Sequence, residues 1–120
     1  MIKVIVVDDE WFVRMGIVGE TDWTTLGCEV VGEAENGLDA LELVHEKNPD
    51  LMICDIRMPK MNGLEMLKKL REEKNPVQVI FLTAYSEFSY AREALKLYAF
   101  DYLLKPFEDG ELESAIRRAK

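Results

Sequence analysis

The pattern of apolar and polar positions along the chain alternates between two periods. Short apolar runs, most of them rich in β-branched residues, are separated by stretches in which apolar residues recur every three or four positions. Runs of the first kind are typical of buried strands, and stretches of the second kind are typical of amphipathic helices. The five runs interpreted as strands are Ile2–Val7, Cys28–Gly32, Leu51–Cys54, Val77–Leu82 and Phe100–Leu104. This alternation predicts a doubly wound α/β fold, with one five-stranded parallel sheet and helices on both of its faces.

Five stretches have the spacing of amphipathic helices. Two of them are predicted at Glu10–Val18 and Leu38–Lys47. Asn62 and Ser86 are suitable N-caps for the next two, because a short polar side chain can accept a hydrogen bond from the first helical turn. The inner face predicted for the helix after Asn62 is Leu64, Leu67 and Leu70. The apolar positions of the fifth helix are Leu112, Ala115, Ile116 and Ala119.

The composition is that of one acidic domain with a real core. The chain has 120 residues, of which 48% are hydrophobic, and we expect residues 1–120 to form a single domain. Its net charge of −8 argues against nonspecific binding of nucleic acid or anionic membrane by this segment. Cys28 and Cys54 lack the spacing of metal ligands, and no run has the features of a signal peptide or a membrane span. We therefore expect a reduced, cytoplasmic protein that does not contact a membrane.

Polar side chains stand at the ends of four of the predicted strands. Asp8 and Asp9 follow the first strand, and Asp55 ends the third. Thr83 ends the fourth strand, and Lys105 follows the fifth. If these strands are parallel neighbours, all of these side chains meet at one edge of the sheet, where open α/β sheets bind their ligands.

A divalent cation would relieve the repulsion between the three carboxylates expected at this edge. Mg²⁺ prefers oxygen ligands and keeps several waters, so one or two direct carboxylates are enough to hold it. Asp9 and Asp55 are predicted as direct ligands, whereas Asp8 is expected to act through a water molecule. The backbone carbonyl of Arg57 can supply a further oxygen. The sequence therefore predicts Mg²⁺ as the cofactor of this site.

The same edge has the groups that phosphoryl transfer needs, namely a nucleophile and positive charge for the transferred oxygens. A carboxylate can be the nucleophile and form an aspartyl phosphate, and Asp55 is the candidate because its strand is central in the expected sheet. The ammonium of Lys105 can pair with Asp55 and then with a phosphoryl oxygen. The hydroxyl of Thr83 can donate a hydrogen bond to another phosphoryl oxygen. Taken singly, Thr83 could cap a helix and Lys105 could be solvated, but their coincidence at successive strand ends favours a site.

Four short motifs together resemble those of the receiver domain of two-component response regulators, and the resemblance covers essentially the whole chain. They are Asp8–Glu10, Asp55–Gly63, Thr83-Ala84 and Lys105-Pro106. The resemblance implies a flavodoxin-like sheet of strand order 2-1-3-4-5 with five helices, and a cis peptide bond between Lys105 and Pro106. It also implies that a partner sensor histidine kinase donates a phosphoryl group from phosphohistidine to Asp55. Such a domain catalyses its own phosphoryl transfer and dephosphorylation, but it is not a turnover enzyme acting on a separate substrate.

The resemblance further implies a conformational switch. Tyr102 is expected to turn inward when the hydroxyl of Thr83 moves toward the phosphoryl group, so both are predicted switch residues. The face that would shift is formed by the fourth predicted helix, the fifth strand and the fifth predicted helix. Homodimerisation through this face on phosphorylation is a further hypothesis. Arg57 and Tyr85 are large side chains, and we predict that they shield the aspartyl phosphate from water and slow its hydrolysis.

Three segments also resemble receiver domains that are attached to AraC-type helix-turn-helix output domains. They are Asp22–Gly27, Ala84–Ala91 and Phe100–Phe107. The resemblance implies that the switch controls transcription. The chain ends at its last predicted helix, so DNA would be bound only by an output domain outside this chain, in keeping with its negative charge.

Three alternative functions compete with this interpretation. A phosphatase of the haloacid-dehalogenase type needs a second aspartate two residues after its nucleophile, where this chain has Arg57. A flavodoxin-like cofactor carrier needs a loop rich in Gly, Ser and Thr after its first strand, where this chain has Asp8–Glu10. A receiver-like protein-binding module that is never phosphorylated is disfavoured by the complete acidic site, but it stays open.

Overall fold

One five-stranded sheet forms the centre of the molecule, and all neighbouring strands in it are parallel. The structure is a computed structural model that describes residues 1–84, 92–93, 96–105 and 109–119. The strands are β1 (Ile2–Val7), β2 (Cys28–Ala34), β3 (Leu51–Asp55), β4 (Gln78–Ala84) and β5 (Asp101–Lys105). Their order in the sheet is β2-β1-β3-β4-β5. The predicted α/β class, the parallel sheet and the strand order are therefore confirmed.

Four helices are described, and each matches a helix predicted from the sequence. They are α1 (Trp11–Glu20), α2 (Gly37–Lys47), α3 (Gly63–Glu72) and α4 (Asp109–Ala119). The helix predicted after Ser86 lies largely outside the described residues, although residues 92, 93 and 96 have helical backbone. The helix α4 therefore corresponds to the fifth predicted helix. Within the described residues, no helix combines the length and the apolar character needed to cross a membrane.

The sheet is buried on both faces and separates two apolar cores. In β1, Val4 and Val6 face one core while Ile5 and Val7 face the other, as the two-residue period of a strand requires. Side chains of α2 and α3 close the core around Ile5, and side chains of α1 and α4 close the core around Val4. The predicted inner face of α3 is buried, at Leu64, Leu67 and Leu70. This double burial specifies the strand register, because a slip by one residue would exchange the two cores.

The N-terminus of α3 is capped by the side chain of Asn62, as predicted. Asn62 Oδ1 accepts a hydrogen bond from Glu65 N at 2.8 Å, and Glu65 Oε1 accepts one from Asn62 N at 3.1 Å. This reciprocal capping box contributes about 1 kcal/mol to stability. It also fixes the point where the chain enters α3, and so it helps to shape the loop that follows Asp55.

Candidate functional site

Polar side chains converge at the carboxyl edge of the sheet. The ammonium of Lys105 lies 3.2 Å from Asp8 Oδ2 and 3.4 Å from Asp55 Oδ2, so that one cation bridges two carboxylates. Asp8 directly follows β1, Asp55 ends β3 and Lys105 ends β5. The strand β4 lies between β3 and β5, and its Thr83 is fully buried. The fold therefore brings Asp8, Asp55 and Lys105 together, with Thr83 on the intervening strand.

Asp8 and Asp9 are adjacent in sequence but differ in exposure. The Asp8 side chain is buried, and its oxygens accept hydrogen bonds from Glu10 N at 2.9 Å and from Lys105 Nζ at 3.2 Å. Asp9 and Glu10 are exposed. One carboxylate oxygen from each of the three acidic residues lies within 4.8 Å of the other two, a spacing that one cation can bridge. Sequence reasoning did not single out Glu10 as a ligand, although its place in an acidic triplet is a visible signal.

The donor set at this edge fits a small divalent cation. When ionised, Asp8, Asp9, Glu10 and Asp55 contribute four negative charges and Lys105 contributes one positive charge, which leaves an excess of three negative charges. Carboxylate oxygens are ligands that Mg²⁺ prefers, and this ion completes its coordination with water. The residues present are therefore suited to Mg²⁺. Which of them bind it directly stays a prediction.

The electrostatics of Asp55 and Lys105 are coupled. Burial is the main cause that raises the pKa of Asp55 to about 6; Lys105 opposes this shift and Asp8 adds to it. Burial alone would lower the pKa of Lys105, but Asp55 and Asp8 outweigh it and raise that pKa above its usual value. Lys105 is therefore a permanent cation at neutral pH, and Asp55 is a carboxylate that loses its proton close to neutrality.

Gly63 allows α3 to approach the end of β3 closely. A methyl group at this position would lie 2.7 Å from Asp55 O and 2.8 Å from a ring carbon of Phe81. The amide of Gly63 also donates a hydrogen bond to Ile56 O at 2.7 Å. Glycine is therefore required here by the short distance between backbones, and it holds in place the peptide units around Asp55.

A shallow, open pocket lies beside the acidic triplet. It is lined by Asp9, Ile56, Arg57, Met58 and Asn62. Asp9 and Arg57, two of the predicted metal ligands, thus border the same cavity although they lie on different loops. The Arg57 side chain is exposed, in a position from which it can reach a group bound in the pocket.

Thr83 and Tyr102, the two predicted switch residues, lie on neighbouring strands. Tyr102 is half-buried, packs against the core around Ile5, and pairs in register with Phe81 of β4. Phe81 belongs to the same core, and the two-residue period places Thr83 on the same side of β4 as Phe81. Tyr85 lies outside the described residues, as does the predicted cis peptide bond before residue 106.

Comparison with known sequences gives consistent matches over nearly the whole chain. A family profile described as "Response regulator receiver domain" matches residues 4–117. The transcriptional regulatory protein BtsR of Salmonella typhimurium is 42% identical over an alignment of 124 positions, which covers 100% of this chain and 48% of that protein. The transcriptional regulatory protein YesN of Bacillus subtilis is 39% identical over 116 residues, which cover 97% of this chain and 32% of that protein. The chain thus spans half or less of the length of these relatives.

Solved structures give the same result. The receiver domain of AraT, a response regulator from Geobacillus stearothermophilus, superposes with a TM-score of 0.91 at 42% identity, covering 98% of this chain and 91% of that one. A two-component transcriptional regulator AraC from Clostridium phytofermentans superposes with a TM-score of 0.90 at 28% identity, covering 99% and 92%. With the strand order, the shared edge of polar side chains and the family match all in agreement, the chain belongs to the response regulator receiver domain family.

Proposed function

We propose that this domain is a phosphorylation-dependent signalling switch in which Asp55 accepts a phosphoryl group from a partner sensor histidine kinase. The observation that carries the proposal is the bridge formed by Lys105, whose ammonium lies 3.2 Å from Asp8 and 3.4 Å from Asp55. A carboxylate nucleophile is thereby held beside a fixed positive charge, the combination that transfer of an anionic group requires. Membership of the receiver family supports the same role.

The transfer would break the P–N bond of the kinase's phosphohistidine and form a P–O bond to Asp55. The histidine nitrogen keeps the electron pair and takes up a proton from solvent. Asp55 must be ionised to attack, and with a pKa of about 6 it is largely ionised at neutral pH. The ammonium of Lys105 can follow the negative charge from the Asp55 carboxylate to a phosphoryl oxygen, and Thr83 can donate a hydrogen bond to a second oxygen.

Mg²⁺ is the proposed cofactor, held by Asp8, Asp9, Asp55 and the backbone carbonyl of Arg57. When bound, it would neutralise charge on the phosphoryl oxygens. Asp9 is exposed beside the pocket that Arg57 also lines, so it can take up an ion from solvent. Asp8 is held by Lys105 and by the backbone, which suits the indirect role predicted for it.

The response to phosphorylation is proposed to pass through Thr83 and Tyr102. Movement of the Thr83 hydroxyl toward the phosphoryl group would open space into which the Tyr102 ring can turn. The face formed by the fourth predicted helix, β5 and α4 would shift as a result, and it could pair with a second copy of the domain. Tyr102 is half-buried, and it packs on the same side of the sheet as Thr83 of β4. This arrangement supports the proposed route.

The proposed output is control of transcription in the cytoplasm. The relatives BtsR and YesN are transcriptional regulatory proteins, and this chain spans half or less of their length. DNA would be bound by an output domain outside this chain, because the domain itself has a net charge of −8. The domain is not proposed to turn over a separate substrate.

The exposed face of α1 is the proposed contact surface for the kinase. Trp11 is 65% exposed and Phe12 is 62% exposed, and both follow Asp9 within three residues. A kinase histidine must come within bonding distance of Asp55, so its surroundings must contact the elements that border the site. We expect Phe12→Ser to slow phosphotransfer from the kinase but to leave phosphorylation by acetyl phosphate unchanged. Leu38→Ser, on α2, is the matched control for loss of an exposed apolar side chain.

The proposed shielding by Arg57 and Tyr85 is tested by the lifetime of the phosphorylated protein. We expect Arg57→Ala and Tyr85→Ala to shorten the half-life of the aspartyl phosphate, because each removes a large side chain that limits access of water. Unchanged half-lives in both variants would show that these side chains do not protect the acyl phosphate.

The central experiment is intact mass spectrometry after incubation with acetyl phosphate and Mg²⁺. We expect the native protein to gain one phosphoryl group, and we expect this gain to be lost with EDTA and in Asp55→Asn. Asp50→Asn, which changes the carboxylate just before the same strand, is the matched control and should be phosphorylated normally. Failure of a folded native protein to gain mass would favour an unphosphorylated receiver-like binding module instead. An equal gain in mass in Asp55→Asn would show that another residue is the phosphoryl acceptor.

A further inference from the structure

Arg14 is a largely buried basic residue of α1 that sequence reasoning missed. Its side chain is 13% exposed and reaches the ends of two strands. Nη1 donates a hydrogen bond to the backbone carbonyl of Asp8 at 2.5 Å, and Nε donates one to Glu33 Oε1 at 3.3 Å. Because the Glu33 carboxylate offsets its charge, Arg14 serves the site mainly as a fixed hydrogen-bond donor.

Arg14 holds the backbone carbonyl oxygen of Asp8, whereas the bonds with Glu10, Lys105 and Ala34 hold the side chain and the amide of Asp8. The Asp8 side chain is held by Glu10 N and Lys105 Nζ, and Asp8 N donates a hydrogen bond to Ala34 O at 3.1 Å. The bond from Glu10 N to Asp8 Oδ1 restrains the Asp9–Glu10 peptide unit, and the bond from Arg14 restrains the Asp8–Asp9 peptide unit through the Asp8 carbonyl. That carbonyl is coplanar with the amide of Asp9, so holding its oxygen fixes the N–Cα bond of Asp9. Because the following peptide unit is also held at Glu10 N, the two restraints together limit the direction in which the Asp9 side chain departs.

The direction of Asp9 matters because its carboxylate is exposed. Asp9 borders the pocket beside Arg57, and its oxygen lies within 4.8 Å of the ligand atoms of Asp8 and Glu10. An exposed side chain on an unrestrained peptide unit would lose conformational freedom when it binds a cation, and this loss would weaken binding. A peptide unit that is already held avoids most of that loss.

We propose that Arg14 is a positioning residue for the cation site, acting through the Asp8 carbonyl to orient the carboxylate of Asp9. This inference rests on the proposed function, since it assigns a role toward the same Mg²⁺ site. Groups that orient metal ligands commonly change metal affinity by about 10- to 100-fold when they are removed. We expect Arg14→Met to weaken Mg²⁺ binding about tenfold. Arg14→Lys, which keeps a donor, should recover part of the affinity.

The test is a titration with MgCl₂ at constant ionic strength, followed by tryptophan fluorescence, with Trp11 as a solvent-exposed reporter two residues from Asp9. The dissociation constant is measured for the native protein, Arg14→Met and Arg14→Lys. Arg117→Met is the charge control, because it also removes one positive charge, from an exposed arginine near the C-terminus of α4, and it should leave the affinity within about twofold. Urea unfolding of each variant separates an effect on stability from an effect on affinity.

A second readout distinguishes positioning from a general structural role. If Arg14 acts on cation affinity, saturating Mg²⁺ restores the rate of phosphorylation by acetyl phosphate in Arg14→Met to the native rate. Native-like affinity in a folded Arg14→Met protein overturns the inference and leaves the proposed function intact. A native protein that shows no saturable response to Mg²⁺ overturns both. If Arg14→Met does not fold, Arg14→Gln takes its place in the titration, because its shorter side chain cannot keep the bonds of Arg14 to both Asp8 O and Glu33. Native affinity in that folded variant overturns the inference.

Discussion

Arg71, near the C-terminus of α3, holds two separate segments of backbone together. Its guanidinium donates hydrogen bonds to the carbonyl oxygens of Asn75 at 2.7 Å, and of Val77, Leu97 and Tyr98 at 3.0 Å each. The first two residues precede β4, and the other two lie just before β5. We expect Arg71→Met, which keeps the apolar stem but removes every donor, to destabilise the domain substantially.

The size of the effect follows from these four bonds. A hydrogen bond from a charged donor contributes about 1.5–3 kcal/mol, but the bond to Tyr98 is exposed and its carbonyl would regain water. Partial burial desolvates the guanidinium and lowers the pKa of Arg71, and methionine avoids this cost. Arg71→Met removes three part-buried hydrogen bonds but also removes the cost of desolvating the guanidinium. The net loss in the free energy of unfolding is therefore about 3 kcal/mol. Lysine has a single nitrogen and should recover only about 1 kcal/mol of it.

Urea unfolding, followed by tryptophan fluorescence and circular dichroism, measures this loss. Arg117→Met is the matched control, because Arg117 is an exposed arginine on α4 and its loss should change stability by no more than about 0.5 kcal/mol. Hydrogen exchange should accelerate at residues 97–100 in Arg71→Met, since their anchor is removed. A loss below about 1 kcal/mol in Arg71→Met, or an equal loss in Arg117→Met, would refute the reasoning.

Three further predictions concern the site and its supporting helix. Gly63→Ala should lower the free energy of unfolding by about 2 kcal/mol in urea titrations and slow phosphorylation by acetyl phosphate, because the added methyl lies 2.7 Å from Asp55 O; native behaviour would contradict this. Lys74 has a φ of 61°, so Lys74→Gly should stabilise the domain by about 1 kcal/mol. In contrast, Lys68→Gly within α3 should destabilise it by a similar amount. Burial raises the pKa of Asp55 to about 6, so the folded state binds more protons than the unfolded state between about pH 4 and 6. The free energy of unfolding therefore falls as the pH rises through this window. In EDTA, Asp55→Asn should therefore become more stable relative to the native protein when the pH is raised from 4.5 to 7.5. Urea midpoints of the two proteins that change by the same amount between these pH values would contradict this.

Local features of the fold could be predicted from the sequence because they depend on short-range periods. The buried face of α3, at Leu64, Leu67 and Leu70, follows from the 3.6-residue period. The cap at Asn62 follows from the chemistry of a short polar side chain beside free amide groups. Periodicity does not say which strands are neighbours, so the strand order was predicted from family resemblance alone. The order was correct, and it explains why side chains predicted at the ends of different strands share one edge, as expected for parallel neighbours.

The sequence by itself predicted the groups expected at the site, namely acidic residues at the ends of two strands, a hydroxyl at the end of a third and an ammonium at the end of a fourth, all in a parallel α/β sheet. Only the tertiary structure decided that Lys105 bridges Asp8 and Asp55, that Asp8 is buried while Asp9 is exposed, and that Arg14 holds the peptide between them. Hydrophobic patterning specifies which side of an element faces the core. Contacts between residues such as Asp8 and Lys105, which lie 97 positions apart, depend instead on strand order and register, and these are set by the packing of the whole chain.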